Sequence, residues 1–182
     1  MTDAGEAYNG LEILIFGPAA EEINIWRKRY DPTCLEVDPH ITLAYPPFVP
    51  FEQWKIAKPD LVACLAEIKP FQIRIKEASF FRKDNQESTN VLWLKPEDNG
   101  IIKQIRLILE GQLPRYVPRM AVEYIPHISI GFIEGKEALR QALAEVKAEL
   151  KPFGFQVTEV VYEAQDKERG IQFFDRLLLG ND

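Results

Sequence analysis

Cysteine and histidine are scarce in this chain, and long apolar runs are missing. Its two cysteines, Cys34 and Cys64, belong to no Cys-x-x-Cys phrase. They read as two free thiols rather than as a disulfide framework or a thiolate metal site. Such sparing use suits a reducing, cytoplasmic setting. No apolar stretch approaches the ~20 residues that a membrane span needs. The acidic start, MTDAGEAYNG, lacks the apolar core of a secretory signal. An excess of basic charge is absent too. The formal net charge is −6, which argues against duplex DNA as a partner, because that needs a broad basic face. A small anion in a locally basic cleft stays open. There is no low-complexity tract and no linker. The expectation is one two-lobed unit over residues 1–182, with a monomer favoured.

What is there is globular. Hydrophobic residues make up 46% and charged residues 27%. A chain this long buries enough surface to fold without a metal or disulfide staple. With only two histidines, the places they occupy are informative. They stand in near-copies of one phrase, Pro39-His40-Ile41-Thr42-Leu43 and Pro126-His127-Ile128-Ser129-Ile130. About half the chain separates them. Each reads Pro-His-apolar-hydroxyl-apolar. From ordinary Ser/Thr usage, a hydroxyl at the same offset in both has a chance of about one in a hundred. A lone histidine on a strand is usually structural; the repetition changes that reading.

Apolar spacing supplies the frame. Leu11 to Phe16 is a short apolar run ended by Gly17-Pro18. Residues 19–30 carry Ile23, Trp26 and Tyr30 at helical spacing, with Pro18 as a possible start and Asp31-Pro32 as the stop. In the first histidine phrase, period two puts His40, Thr42 and Ala44 on one face and Ile41, Leu43 and Tyr45 on the other. A helix near Pro59 follows, with Leu61, Leu65 and Ile68 inward. Phe71 to Lys76 alternates as a strand. Residues 82–90 are polar and read as an exposed loop. Val91 to Leu94 is a strand and Ile101 to Leu109 a helix. Ile125 to Phe132 is a strand with His127, Ser129 and Gly131 on one face. Residues 135–150 are the clearest helix, striped by Leu139, Ala142, Leu143, Val146 and Leu150. Phe153 to Tyr162 and Ile171 to Leu179 close the chain as a hairpin. The order strand, helix, histidine strand, helix, strand occurs twice, as after a distant duplication.

If the two histidine strands share a cleft, His40, Thr42, His127 and Ser129 point into one concavity. Neutral imidazole removes a proton from an attacking hydroxyl or water, and protonated imidazole donates to the departing oxygen. Each transfer contributes roughly 10²–10⁴-fold. The hydroxyls suit the non-bridging oxygens of a phosphodiester. Zinc takes three or four protein ligands, and two histidines with no adjoining Cys or Glu phrase fall short. No metal and no cofactor is expected.

The paired His-x-Thr/Ser phrases resemble those of the 2H phosphoesterase superfamily, which includes the bacterial 2′-5′ RNA ligase family. The resemblance covers roughly residues 9–180. It implies an α+β fold of two pseudo-symmetric lobes, each a mostly antiparallel sheet with helices on the outer face, around a central cleft. It implies a metal-independent phosphodiesterase that opens 2′,3′-cyclic phosphates or cleaves 2′-5′ linkages, with ligation as the reverse. By motif match, His40 and His127 are the acid–base pair, and Thr42 and Ser129 bind the substrate phosphate. The second phrase carries Ser where many members carry Thr. The implied partner is a small nucleotide or an RNA end. A non-catalytic binder of nucleotides or RNA ends, using the same cleft, stands beside the enzyme.

Other residues read more plainly. Strand parity turns Tyr45 and Phe132 toward the core. Trp54 and Trp93 read as core aromatics, with base stacking as the alternative. Arg82, Lys83, Arg115 and Arg119 read as solvated charges, with closure over a phosphate as the alternative. Arg27-Lys28-Arg29 reads as the wet face of the first helix.

Overall fold

The fold comes from a computed structural model and is described for residues 8–31, 37–45, 47–82, 89–118 and 123–180. Cys34, Lys83, Arg119 and most of the polar run 82–90 lie outside these residues. The elements are β1 (Tyr8–Leu14), α1 (Gly17–Tyr30), β2 (His40–Ala44), α2 (Trp54–Leu65), β3 (Phe71–Phe81), β4 (Asn90–Glu97), α3 (Ile101–Gln112), β5 (Ile128–Ile133), α4 (Lys136–Glu149), β6 (Phe153–Val157), β7 (Glu159–Asp166) and β8 (Ile171–Leu178). The strands form two four-stranded sheets, ordered β2-β1-β7-β8 and β5-β4-β3-β6. Every pairing within them is antiparallel. The architecture is the expected α+β one, with two lobes around a cleft.

Each histidine phrase belongs to an edge strand. β2 ends the first sheet and β5 ends the second. An edge strand leaves a row of unpaired backbone groups that something must cover. Here the cover comes from the other half of the sequence. Arg106 on α3 donates to the Leu43 carbonyl at 2.8 Å, and the Tyr124 hydroxyl donates to the Thr42 carbonyl at 2.8 Å. At β5 the last residue of α1, Tyr30, bridges to Gly131. A Cβ at Gly131 would lie 2.4 Å from the Tyr30 Cβ, so only glycine fits this approach.

The units strand–helix–histidine strand, β1-α1-β2 and β4-α3-β5, do recur. The sheets nevertheless are not the two halves of the chain. β3 leaves the first unit to pair with β4 and β6, and its place beside β1 is taken by β7. The stretch expected as one strand from Phe153 to Tyr162 is two strands in two sheets, separated by Thr158. The buried positions shift from Phe153, Phe155 and Val157 to Val160, Tyr162 and Ala164 across that residue. A period-two strand cannot keep both sets on one face.

Helix α2 starts at Trp54, ahead of the expected Pro59, which lies inside it. Trp54, Ala57, Leu61 and Leu65 are buried at helical spacing, and their packing outweighs the backbone hydrogen bond that an internal proline forfeits. Trp54 stacks on Tyr162 at 3.8 Å and donates from Nε1 to Asp175. It is a core aromatic, as expected. α4 buries Leu139, Ala142 and Val146. Among the described residues no helix is long and apolar enough to cross a membrane.

Candidate active site

The two imidazoles are held in the same way. His40 Nδ1 lies 2.8 Å from the Asp38 carbonyl, and His127 Nδ1 lies 2.8 Å from the Ile125 carbonyl. A carbonyl only accepts, so Nδ1 carries the hydrogen in both rings. Each Nε2 then holds the lone pair when neutral and a proton to give when charged. The proline before each histidine explains the match. It fixes its own φ, biases the preceding residue to an extended shape, and so aims that residue's carbonyl back at the imidazole. The repeated proline was visible in the sequence; its purpose was not.

His40 opens β2, whereas His127 stands one residue before β5 rather than within it. His40 and Ser129 line one cavity of about 160 Å³. His127 is close enough to His40 for their charges to repel. Thr42 lies opposite Glu12 in the β1–β2 register, on the His40 face, and its carbonyl receives the Tyr124 hydroxyl. The described geometry therefore brings the two phrases to facing edges of one cleft.

The surroundings of the two rings differ. His127 packs edge-on against Phe81 at 4.8 Å and against Trp93 at 6.0 Å, and Phe81 and Trp93 stack on each other at 4.9 Å. Burial in this aromatic corner pushes the His127 pKa below its ordinary value. The Ile125 carbonyl opposes that shift, and the nearby His40 adds to it. Trp93 is buried, as expected of a core aromatic, but it faces the site, and its Nε1–H has no partner among the described residues. His40 instead neighbours carboxylates. Glu163 is buried and feels both Glu12 and His40. Burial, then the Glu12 carboxylate, raises the Glu163 pKa. Glu12 accepts the Tyr8 hydroxyl on one oxygen, while its other oxygen is buried without a partner among the described residues. Nothing local in the sequence singles out either glutamate, because the groups around each come from strands elsewhere in the chain.

Three expectations are corrected here. Phe132 is 44% exposed and lines the cavity with His40 and Ser129 instead of packing in the core. A register shift between Leu92 and Trp93 is the reason. Trp93 pairs with Ser129, but Val91, on the Trp93 face, pairs with Phe132. The shift reverses parity within β5, so Phe132 shares the Ser129 side and Gly131 leaves it. Tyr45, also 44% exposed, is not a core residue either; it follows the last residue of β2, where the alternation no longer applies. Arg27 is not on the wet face of α1. It is buried, pairs with Asp31 at 3.4 Å, and donates to Asn24 Oδ1 and to the Val37 carbonyl. It ties α1 to the segment that delivers His40.

Arg82 is exposed at the end of β3, and exposed Arg115 lies over the Tyr116 ring at 5.6 Å. Among the described residues no three His, Cys, Asp or Glu side chains converge as a metal site would need.

Comparisons with known proteins bear on the family and the fold. A sequence profile described as the 2′-5′ RNA ligase superfamily matches residues 16–169. A provisionally named phosphoesterase of Geobacillus kaustophilus is 33% identical over 121 residues, 65% of this chain and 66% of that protein. A second, from Geobacillus thermodenitrificans, is 34% identical over 108 residues, 59% of each chain. The chain thus spans less than two thirds of either relative. E. coli LigT complexed with 3′-AMP superposes with a TM-score of 0.63 at 20% identity, over 97% of this chain and 100% of that one. Kluyveromyces marxianus Usb1 with uridine monophosphate gives 0.55 at 14% identity, over 95% and 98%. At such identities the likeness is one of fold.

Proposed function

The chain belongs to the 2′-5′ RNA ligase superfamily, the 2H phosphoesterases, and on that premise we propose that it hydrolyses RNA-type phosphodiesters by two-histidine acid–base chemistry. The substrate is a 2′,3′-cyclic phosphate or a 2′-5′ linkage, and no metal takes part. The observation that carries this reading is the matched pair of imidazoles, each fixed through Nδ1 with Nε2 left for chemistry.

In ring opening, His127 Nε2 takes a proton from water as the water oxygen bonds to phosphorus. The P–O bond to one ribose oxygen breaks, and that oxygen takes the proton of charged His40 Nε2. A phosphomonoester and a free hydroxyl result. His127 leaves the step charged and His40 neutral, and solvent exchange resets both. Roles are assigned this way because His127 sits in an apolar corner that favours its neutral form, which leaves the proton donation to His40. In the reverse, ligating direction the roles exchange. Thr42 and Ser129 donate hydrogen bonds to the non-bridging oxygens, where negative charge grows in the transition state.

The test is a panel of nucleoside 2′,3′-cyclic phosphates and 2′-5′-linked dinucleotides with chelator present. His40→Ala and His127→Ala should each lower turnover by roughly 10²–10⁴-fold. Wild-type rates in both variants would sink the proposal, and so would activity that chelator abolishes. Tight nucleotide binding with no turnover anywhere on the panel would favour a non-catalytic binder.

A further inference from the structure

Glu12 and Glu163 are 1% and 9% exposed, and among the described residues neither forms an ion pair. Residues paired across a sheet share a face. The pairs Glu12–Thr42, Glu12–Val161 and Gly10–Glu163 therefore put both glutamates on the face of Thr42. Glu163 is the diagonal neighbour of Glu12, a separation that long side chains span. Tyr8 reaches the same spot over Gly10, where an added Cβ would lie 2.9 Å from its hydroxyl. That hydroxyl donates to Glu12 Oε1, and the Gln165 amide donates to Glu163 Oε1. Glu12 Oε2 stays buried without a partner among the described residues. The other titratable groups near the pair are Tyr8, Tyr45, and Asp38 and His40 where β2 begins. On β8 the uncharged Phe174 lies opposite Glu163, and Arg176 on the same face pairs with Glu159 instead.

Two buried carboxylates this close do not both stay charged, because desolvation and like charge each favour a proton on one of them. Glu12 has an oxygen to spare, so it is the acceptor of the pair and the Glu163 O–H is the donor. Burial first, then the Glu12 charge, pushes Glu163 toward its protonated form, and His40 opposes them less strongly. We propose that Glu12 and Glu163 hold one proton between them, and that this proton admits the substrate phosphate beside Thr42. It leaves the floor of the site with one negative charge instead of two. It also occupies Glu12 Oε2, so the Thr42 hydroxyl across the strand donates to the phosphate and not to the carboxylate. Where pH has removed the proton, anion binding takes one up from solvent, and two carboxylates become one carboxylate and one carboxyl. This rests on the proposed function for the place of the phosphate and goes beyond it. Glu163 becomes a positioning residue that ties substrate affinity to pH.

The probe is inorganic sulfate, a phosphate mimic whose charge is fixed across neutral pH, so turnover does not enter. Carbon-13 NMR of the glutamate carboxyls in the full chain locates the titration. One carboxyl of the wild type should titrate above the ordinary 4.5, and its signal should vanish in Glu163→Gln. Glutamine suits the test because its amide N–H can replace the carboxyl O–H toward Glu12. Calorimetry then brackets that midpoint, and the histidines, present in both proteins, cancel in the comparison. Below the midpoint the two proteins should bind sulfate equally. Above it the wild type should bind roughly tenfold more weakly, as one extra unit charge within about 12 Å gives at an effective dielectric constant of about 20. It should also take up more protons on binding than the variant does. Glutamates that all titrate in the ordinary range overturn the shared proton. A ratio of affinities that stays constant across the midpoint overturns its link to the phosphate. If neither sulfate nor 3′-AMP binds either protein while one glutamate titrates high, the proposed phosphate site falls and the shared proton alone stands.

Discussion

His127 and His40 carry the same side chain and the same backbone hydrogen bond, so whatever separates their roles lies in what packs around them. For His127 that is the Phe81–Trp93 stack. A base must be neutral to accept a proton, so activity falls when pH drops through its pKa. Because burial lowers the His127 pKa, the acid limb of kcat/KM should lie below 6.5, the ordinary imidazole value. Phe81→Ala lets water reach the ring, so the limb should move up toward that value; a pH–rate profile of both proteins checks it, and an unmoved limb would reassign the base. Ser129→Ala and Thr42→Ala should each lower kcat by roughly 10²-fold if their hydroxyls meet the transition state, which steady-state kinetics reads directly. Glu163 bears on stability. Its raised pKa means that the fold favours the protonated carboxyl. That contribution is fully present below the ordinary value of 4.5 and is lost as pH rises through the raised pKa. The groups near it are Glu12, Asp38, His40 and Gln165. Glu163→Gln removes the cost of charging a buried group, so it should melt higher than wild type at neutral pH. The difference should close toward pH 4.5, as scanning calorimetry across that range can verify.

At the scale of elements, the site depends on two covered edges. Tyr30 at the end of α1 lies so close to β5 that Gly131 has no room for a methyl group. Gly131→Ala should therefore cost about 1–3 kcal/mol, the usual range for overpacking, measured as a shift in urea midpoint with the m-value unchanged. The same contact shows where sequence reading reached and where it stopped. The histidine phrases were legible because chemistry and spacing are both local to five residues. Arg27 could have been read better, since Ile23, Trp26 and Tyr30 define a stripe on which Arg27 also falls. Phe132 could not. Its side is set by a register shift opposite Leu92 and Trp93, and a shift in pairing leaves no mark in the local alternation. Glu12 and Glu163 meet only because β7 pairs with β1, a contact across most of the chain. α2 hid its first turn for a related reason, since the burial of Trp54 is decided by Tyr162 and Asp175, not by its own helix.

At the scale of the molecule, the two lobes are not two halves joined by a linker. The chain passes from β6 in one sheet to β7 in the other across Thr158 alone, and the Thr158 carbonyl accepts the Leu179 N–H at 2.8 Å. β7 sits inside its sheet, between β1 and β8, so the first sheet lacks a central strand until the C-terminal part of the chain arrives. Arg106 and Tyr124 cover β2 from the second half, and Tyr30 covers β5 from the first. Losing either sheet strips the other of its edge cover and leaves buried groups such as Arg106 without their acceptors, each at a cost of roughly 1–3 kcal/mol. The lobes should therefore unfold as one cooperative unit. Trp54 reports on the first sheet through Tyr162, and Trp93 reports on the second from within β4. Variants retaining only one of these tryptophans should give urea transitions with the same midpoint, once each is corrected for its own stability by a far-UV circular dichroism melt. Two separated midpoints, one for each tryptophan, would mean that the cleft is a joint between independent bodies, and the fixed approach of His40 to His127 would then need another explanation.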